Sequence, residues 1–238
     1  VISIFLGEDG KPKVSQGEFL GGEDDDRPSE SILGKPRSLK DTPDFKFMVS
    51  RGIKSIKGLE YAVNLEQIKL NENEIADISP LRNLKKLKYI ELQRNRIVDV
   101  SPLAGLTELR YLKLYNNLIE DVTPLKDLTN LKHLYISHNR IADVSSLGKL
   151  TNLVDFDISI NYIADVSVAK NYNKLTMFNA IRNKITDISA LKDITGLLIL
   201  NVKQNDVKDI DCIKDLVKLE TLNLEDNKNL GSIKVIKN

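Results

Sequence analysis

The sequence predicts an α/β-type solenoid: a right-handed horseshoe with a parallel β-sheet on its concave face and 3₁₀ or turn segments on its convex face. Three observations carry that expectation. First, a 22-residue unit recurs eight times between Leu59 and Ser232, starting at Leu59, Leu81, Leu103, Leu125, Leu147, Ala169, Leu191 and Ile213, with no insertion. A fixed period of about 20 to 29 residues with leucines at set offsets is the mark of stacked one-strand repeats. Second, Leu112 and Leu114 alternate with Tyr111, Lys113 and Tyr115, the period of two of a half-buried strand. Third, the return from Asn117 to Leu128 is short and interrupted by Asp-Val-Thr-Pro, which suits 3₁₀ turns better than a long helix. A return side bulkier than the strand side bends the stack and makes the sheet concave.

Taken in order, residues 1–58 are expected to form an N-terminal cap with an irregular acidic linker. Residues 59–238 are expected to form the array of eight copies and a short C-terminal tail. Val1–Leu6 and Lys13–Phe19 flank Glu8-Asp9-Gly10-Lys11, a hairpin signal. The run Gly21-Gly-Glu-Asp-Asp-Asp26-Arg-Pro28 lacks the spaced ligands and fixed glycine of a calcium loop, so it reads as a solvated linker. Ile53 and Ile56 stand one period before Ile75 and Ile78, and Phe45, Phe47 and Met48 supply apolar cover. A solenoid end needs such a cap because its outermost repeat otherwise shows bare core to water. Little covering sequence follows the last repeat, so the chain is expected to continue or its tail to bend over that end. It begins with Val rather than Met, as a processed or partial chain does.

Within the leucine-rich repeat, seven positions per copy are apolar, as at Leu103, Leu106, Leu109, Leu112, Leu114, Ile119 and Val122. Burying each contributes roughly 1.5–3 kcal/mol before the entropy of ordering is charged. Asn73, Asn95, Asn117, Asn139, Asn161, Asn183, Asn205 and Asn227 form an unbroken ladder. An inward Asn offers one acceptor and two donors to buried backbone groups, so the ladder reads as structure. Asp77, Asp99, Asp121, Asp143, Asp165, Asp187 and Asp209 read as local turn chemistry. The sixth copy departs from the frame: Ala169 and Ala180 replace larger residues and Tyr172 replaces a leucine, which requires the core to be refilled there.

Bulk properties exclude several function classes. Lys and Arg number 35 against 34 Asp and Glu, which argues against nucleic acid as partner, since phosphate binding needs a basic face. No apolar run approaches the ~18 residues of a membrane span, so membrane insertion is not expected. Val1–Leu6 is too short for the apolar core of an export signal, so no such signal is present in this sequence. Cys212 is the single cysteine, which rules out an intrachain disulfide and reads as a small apolar filler. Asn-x-Ser/Thr is absent, which disfavours a glycosylated ectodomain. Phosphate loops, Gly-x-Ser-x-Gly and His-Glu-x-x-His are absent too, and no cofactor is expected.

Function is sought in the outward strand positions, the surface left free by the frame. Tyr89, Tyr111, Tyr115 and Tyr135, with His133 and His138, fall in neighbouring copies, interspersed with Lys113. Asp155 and Asp157 follow, then an apolar group of Met177, Ile181 and Ile199 with Ile160. Rigid rings bury much area at little entropic cost, and exposed apolar patches mark partner sites. The competing structural reading is that outward Tyr suits a strand by β-propensity; the clustering favours binding. His133, Asp155, Asp157 and His138 also raise a metal site or an acid–base pair. An open face does not supply three or four converging ligands or a water-excluding pocket, so neither metal nor catalysis is expected.

The consensus Leu-x-x-Leu-x-x-Leu-x-x-Leu-x-Leu-x-x-Asn-x-Ile-x-Asp-Ile-Ser-Pro resembles the internalin type of bacterial leucine-rich repeat. The lead-in Gly52-Ile-Lys-Ser-Ile56-Lys-Gly-Leu is similar to the entry of many such arrays. The resemblance covers residues 45–232. It implies a non-catalytic protein-binding module, on the bacterial cell surface or secreted, acting as an adhesin or host-interaction domain. The partner it implies is a protein, a host receptor or surface glycoprotein, bound by a monomer. The sequence departs from that family in showing no helical cap of the usual length, no immunoglobulin-like domain and no Leu-Pro-x-Thr-Gly signal. The 22-residue array also resembles the phosphatase-regulator class, which would make the chain an intracellular regulatory scaffold. Asp-Ile-Ser-Pro favours the bacterial branch.

Overall fold

The computed structural model describes residues 2–6, 12–16, 44–45 and 51–231, with side chains over 51–231. The expected acidic linker, the cover by Phe47 and Met48, and the C-terminal tail lie outside the described residues. Strand β1 (Ile2–Leu6) pairs antiparallel with β2 (Pro12–Gln16), as the Asp-Gly signal predicts.

The array is one open parallel sheet. Each copy contributes a three-residue strand: β4 (Gln67–Lys69), β5 (Tyr89–Glu91), β6 (Tyr111–Lys113), β7 (His133–Tyr135), β8 (Asp155–Asp157), β9 (Met177–Asn179), β10 (Ile199–Asn201) and β11 (Thr221–Asn223). Neighbouring strands pair in unslipped register, so Tyr89 lies beside Tyr111 and Tyr111 beside His133. The eight strands expected from the repeat become nine, because β3 (Asp44–Phe45) pairs in parallel with β4 at the N-terminal edge. That strand lies outside the period, so its pairing has no signature in the spacing.

Sheet and returns close around a single core. Every isoleucine, leucine or valine at the seven apolar frame positions of the repeat is buried from Leu65 to Val207. The returns are 3₁₀ segments, three of them opening Ser-Pro or Thr-Pro at Ser79–Leu81, Ser101–Leu103 and Thr123–Leu125. Proline fits there because its fixed φ suits the first turn and no N–H partner is lost. Each turn aspartate accepts the backbone N–H two residues on, as Asp121 does from Thr123 at 2.8 Å.

Each Asn of the ladder satisfies backbone groups of its own copy and of the copy before it. Asn117 donates to Leu92 O and Leu114 O at 3.0 and 2.9 Å and accepts from Ile97 N–H at 3.0 Å. Asn73 ties down the entry segment by accepting from both Arg51 and Ile53. The residue before each ladder Asn occupies the left-handed region, from Glu72 at φ 59° to Asp226 at φ 58°. Two of these eight, His138 and Ile160, are expected from the sequence among the outward strand positions, whereas the chain is already turning there.

In the sixth copy the Tyr172 ring refills the core. It is fully buried and meets Phe156 edge-on at 5.7 Å, and its hydroxyl donates to Leu147 O at 3.2 Å. The C-terminal end is barer: Leu222, the counterpart of the buried Leu112, is 40% exposed.

Candidate binding face on the concave sheet

Strand alternation sends Tyr89, Tyr111, His133, Asp155, Met177 and Ile199 to one outward row. A second row carries Glu91, Lys113, Tyr135, Asp157 and Asn179. Unslipped parallel register spaces members of a row by about 4.8 Å, close enough for flat rings to stack. Tyr89 and Tyr111 do so, with ring centres 4.2 Å apart and planes within 7°. Tyr111 also meets His133 and Tyr135, each at 5.6 Å and tilted. Lysines flank the group: Lys69 Nζ lies 5.2 Å from the Tyr89 ring, and Lys113 Nζ lies 5.2 Å from Tyr111 and 5.6 Å from Tyr135. Cation–π attraction of this kind is worth about 0.5–1 kcal/mol at exposed sites.

A polar network fixes the rings. The Tyr89 hydroxyl donates to Glu91, which also pairs with Lys69 at 3.5 Å. Burial and the hydrogen bond to Glu91 push the Tyr89 hydroxyl well above the usual phenol range. Burial acts to raise the Glu91 carboxyl, but the Tyr89 hydrogen bond and the charges of Lys69 and Lys113 hold it below its ordinary range. On the other flank, His133 Nδ1 lies 2.7 Å from Asp155 Oδ2, and the Tyr135 hydroxyl donates to the same oxygen at 3.1 Å. Burial, then the Asp155 charge, push the Tyr135 hydroxyl upward. Both phenols are therefore protonated hydrogen-bond donors at any physiological pH.

The structure brings Tyr89, Tyr111, Tyr135, His133, Lys113 and Asp155 into one connected cluster. Tyr115 and His138 make no ring contact among the described residues, and His138 sits in a left-handed turn at φ 53°. Asp157 stands in register with Tyr135. Met177 and Ile181 are half-buried, while Ile199 is 37% and Ile160 38% exposed. Sequence reading missed four buried polar atoms without a partner among the described residues: Asn71 Oδ1, Gln93 Oε1, Ser159 Oγ and Asn179 Oδ1. All four belong to outward strand positions, a shared origin that the register alone could have revealed.

The imidazole of His133 is bonded directly to Asp155, and no group of three or more metal-ligating side chains converges among the described residues. A depression of about 320 Å³ lies in the turn region between Ile78 and Val98, away from the sheet. The concave face itself is an extended, shallow surface of rings, amides and charges, which suits recognition of another surface.

Comparison with known proteins agrees with this geometry. The family model "Leucine Rich repeats (2 copies)" matches residues 63–103, 85–127 and 129–171. No curated protein matches the sequence. Among solved structures, internalin C2 of Listeria monocytogenes is 37% identical with a TM-score of 0.72, covering 74% of this chain and 78% of that one. A second Listeria monocytogenes internalin, InlF, is 30% identical with a TM-score of 0.57, covering 79% of this chain and 69% of that one. A plant peptide hormone receptor, RGFR1, solved in complex with RGF2, is 26% identical with a TM-score of 0.63, covering 70% of this chain and 29% of that one. Fold, repeat frame and identity over most of both chains converge, and the chain belongs to the internalin type of bacterial leucine-rich-repeat proteins.

Proposed function

We propose that this chain is the non-catalytic recognition module of an exported bacterial protein, displayed on the cell surface or secreted. In this reading it binds a protein partner, a host receptor or surface glycoprotein, and acts as a monomer. The concave face carries the contact, centred on Tyr89, Tyr111, Tyr135 and His133. The observation that supports this most is the ring cluster itself. Four adjacent outward rings are held half-buried by lysines and carboxylates on a surface that the hydrophobic core does not require. Stacked rings contribute about 0.5–1.5 kcal/mol per pair to the sheet, a modest return for concentrating aromatics on one stretch. Pre-ordered rings also lose little entropy on binding, which is the character of interface hot spots. The complex of the plant receptor with RGF2 shows that this fold holds a peptide in at least one neighbour.

The test is affinity capture from host-cell extracts with wild type beside the Tyr111→Ala/Tyr135→Ala double variant and the convex control Glu120→Ala. Each Tyr replacement is expected to weaken a captured partner by more than about 1 kcal/mol, while Glu120→Ala leaves it unchanged. Equal loss from the convex variant, or full retention by the double variant, refutes the concave assignment.

A further inference from the structure

Asp155 and Asp157 are acids of the concave face without a lysine or arginine partner among the described residues; Asp155 has the His133 imidazole at 2.7 Å instead. The other acids in its strand rows and their extension have a cation: Glu91 pairs with Lys69 at 3.5 Å, and Glu225 with Lys203 at 2.6 Å. Among the described residues, neither Asp155 nor Asp157 lies within 4.0 Å of a lysine or arginine nitrogen. Asp155 uses Oδ2 for His133 and Tyr135, and Asp157 uses Oδ1 for the Ser159 N–H at 3.0 Å. Their other oxygens have no protein donor among the described residues.

A second, independent observation lies beside this pair. Ser159, two residues beyond Asp157 and therefore on the same side of the strand, is only 5% exposed, yet its Oγ has no partner among the described residues. Asn179, in register with Asp157, has a buried Oδ1 in the same state. Two negative charges and two unpartnered oxygens share one spot on the sheet. A group that brings positive charge and only hydrogen-bond donors completes all of them, which describes a guanidinium or an ammonium. A metal ion fits less well, since no three ligating side chains converge among the described residues. A neutral sugar leaves both charges uncompensated.

The neighbours define what accompanies that cation. Met177 is in register with Asp155, Ile199 is in register with Met177, and Ile181 lies beyond Asn179 on β9's extension. Resting on the concave-face reading, we propose that the partner presents an arginine or lysine to Asp155 and Asp157. An adjacent apolar side chain then seats against Met177, Ile181 and Ile199. Tyr89, Tyr111 and Tyr135 take the flanking surface on the other side.

A phage-displayed random dodecapeptide library, panned on the full chain, tests this without a known partner. Selected peptides are expected to carry Arg or Lys next to Leu, Ile, Met or Phe. Their synthetic versions should bind the Asp155→Asn/Asp157→Asn variant at least about tenfold more weakly, and lose affinity as salt rises toward about 0.5 M. The Asn replacements keep the side-chain shapes and the acceptor for Ser159, so an unchanged melting temperature separates lost binding from lost folding. Peptides sensitive to Tyr111→Ala but indifferent to the Asn variant leave the concave-face reading standing and overturn the basic subsite. Peptides indifferent to both, or no selected peptide at all, count against both. Capture of a neutral glycan at Asp155 and Asp157 in place of a basic peptide also overturns it.

Discussion

Replacing one rung of the Asn ladder isolates what the ladder contributes, and Asn117→Ala in the middle of the array is the clearest case. The Asn117 amide makes three hydrogen bonds to buried backbone, and their loss is unequal. Leu92 O keeps the bond from Asn95 at 3.0 Å, and Leu114 O keeps the bond from Asn139 at 3.0 Å. The Ile97 N–H keeps nothing, and Ile97 is fully buried. An orphaned buried donor costs about 1–3 kcal/mol, and each weakened carbonyl about 0.5–1.5 kcal/mol. The expected loss is therefore about 2–6 kcal/mol, a large fraction of an ordinary folding free energy. Asn117→Asp keeps the shape but aims a carboxylate oxygen at two carbonyls. Burial and those carbonyls raise its folded pKa above the unfolded value. The destabilisation of that variant is then smallest at low pH and grows as pH rises through the folded pKa. Urea unfolding at constant slope measures the loss, and amide exchange at Ile97 localises it. A loss below about 1 kcal/mol for Asn117→Ala, or unchanged protection of the Ile97 amide, refutes the accounting.

Three further outcomes follow from individual contacts. Tyr172→Phe removes the hydroxyl that donates to Leu147 O at 3.2 Å; it should cost about 0.5–1.5 kcal/mol in urea unfolding, and Tyr172→Ala about 3–5 kcal/mol. The Cys212 thiol is pushed up to about 11 by burial and then by the charges of Asp209 and Asp187, so iodoacetamide at pH 8 should label it about a hundredfold more slowly than a free cysteine. Asp121 and Asp143 sit below the ordinary carboxylate range, through the Thr123 side chain and backbone and through the Ser145 backbone N–H. Depressed folded values give stability that is complete above the unfolded pKa and lost as pH falls through the folded one. Asp121→Asn/Asp143→Asn should thus flatten the fall in melting temperature below about pH 4.

The frame was readable in the sequence because each of its positions has one physical fate. A leucine at the position of Leu109 is buried in every copy but the last, an Asn at the position of Asn117 bonds backbone throughout, and an Asp at the position of Asp121 closes the same turn. The rows of the concave face were readable too, since a constant period fixes the register. Side-chain geometry was not. Tyr115 belongs with Tyr111 by spacing, but the rings that meet are Tyr89, Tyr111 and Tyr135, a consequence of rotamers and neighbours that no period encodes. His133 and Asp155 were visible as same-rank neighbours, whereas their direct bond, shared with Tyr135, was not.

The left-handed column shows why residue type alone misleads at such sites. Asn116, His138 and Asp226 are the members whose residue types accept positive φ most readily; Glu, Arg, Ile and Gln hold the same angle elsewhere because the frame leaves no choice. The N–H of each but Asp226, which stands in the last copy, bonds to the next copy, as Ile160 N does to Ile181 O at 2.6 Å, while the following Asn161 secures the core. At Ile160 the conflict is largest: a β-branched side chain sits at φ 52° and is still 38% exposed. Such a conformation costs about 1–3 kcal/mol, and an Asn would relieve much of it. Packing does not compel an isoleucine at so exposed a position. It lies beside Ile181, on the same stretch of surface as the apolar group that follows Asp155 and Asp157. Local backbone preference and the apolar character of this stretch of surface therefore point in opposite directions at Ile160.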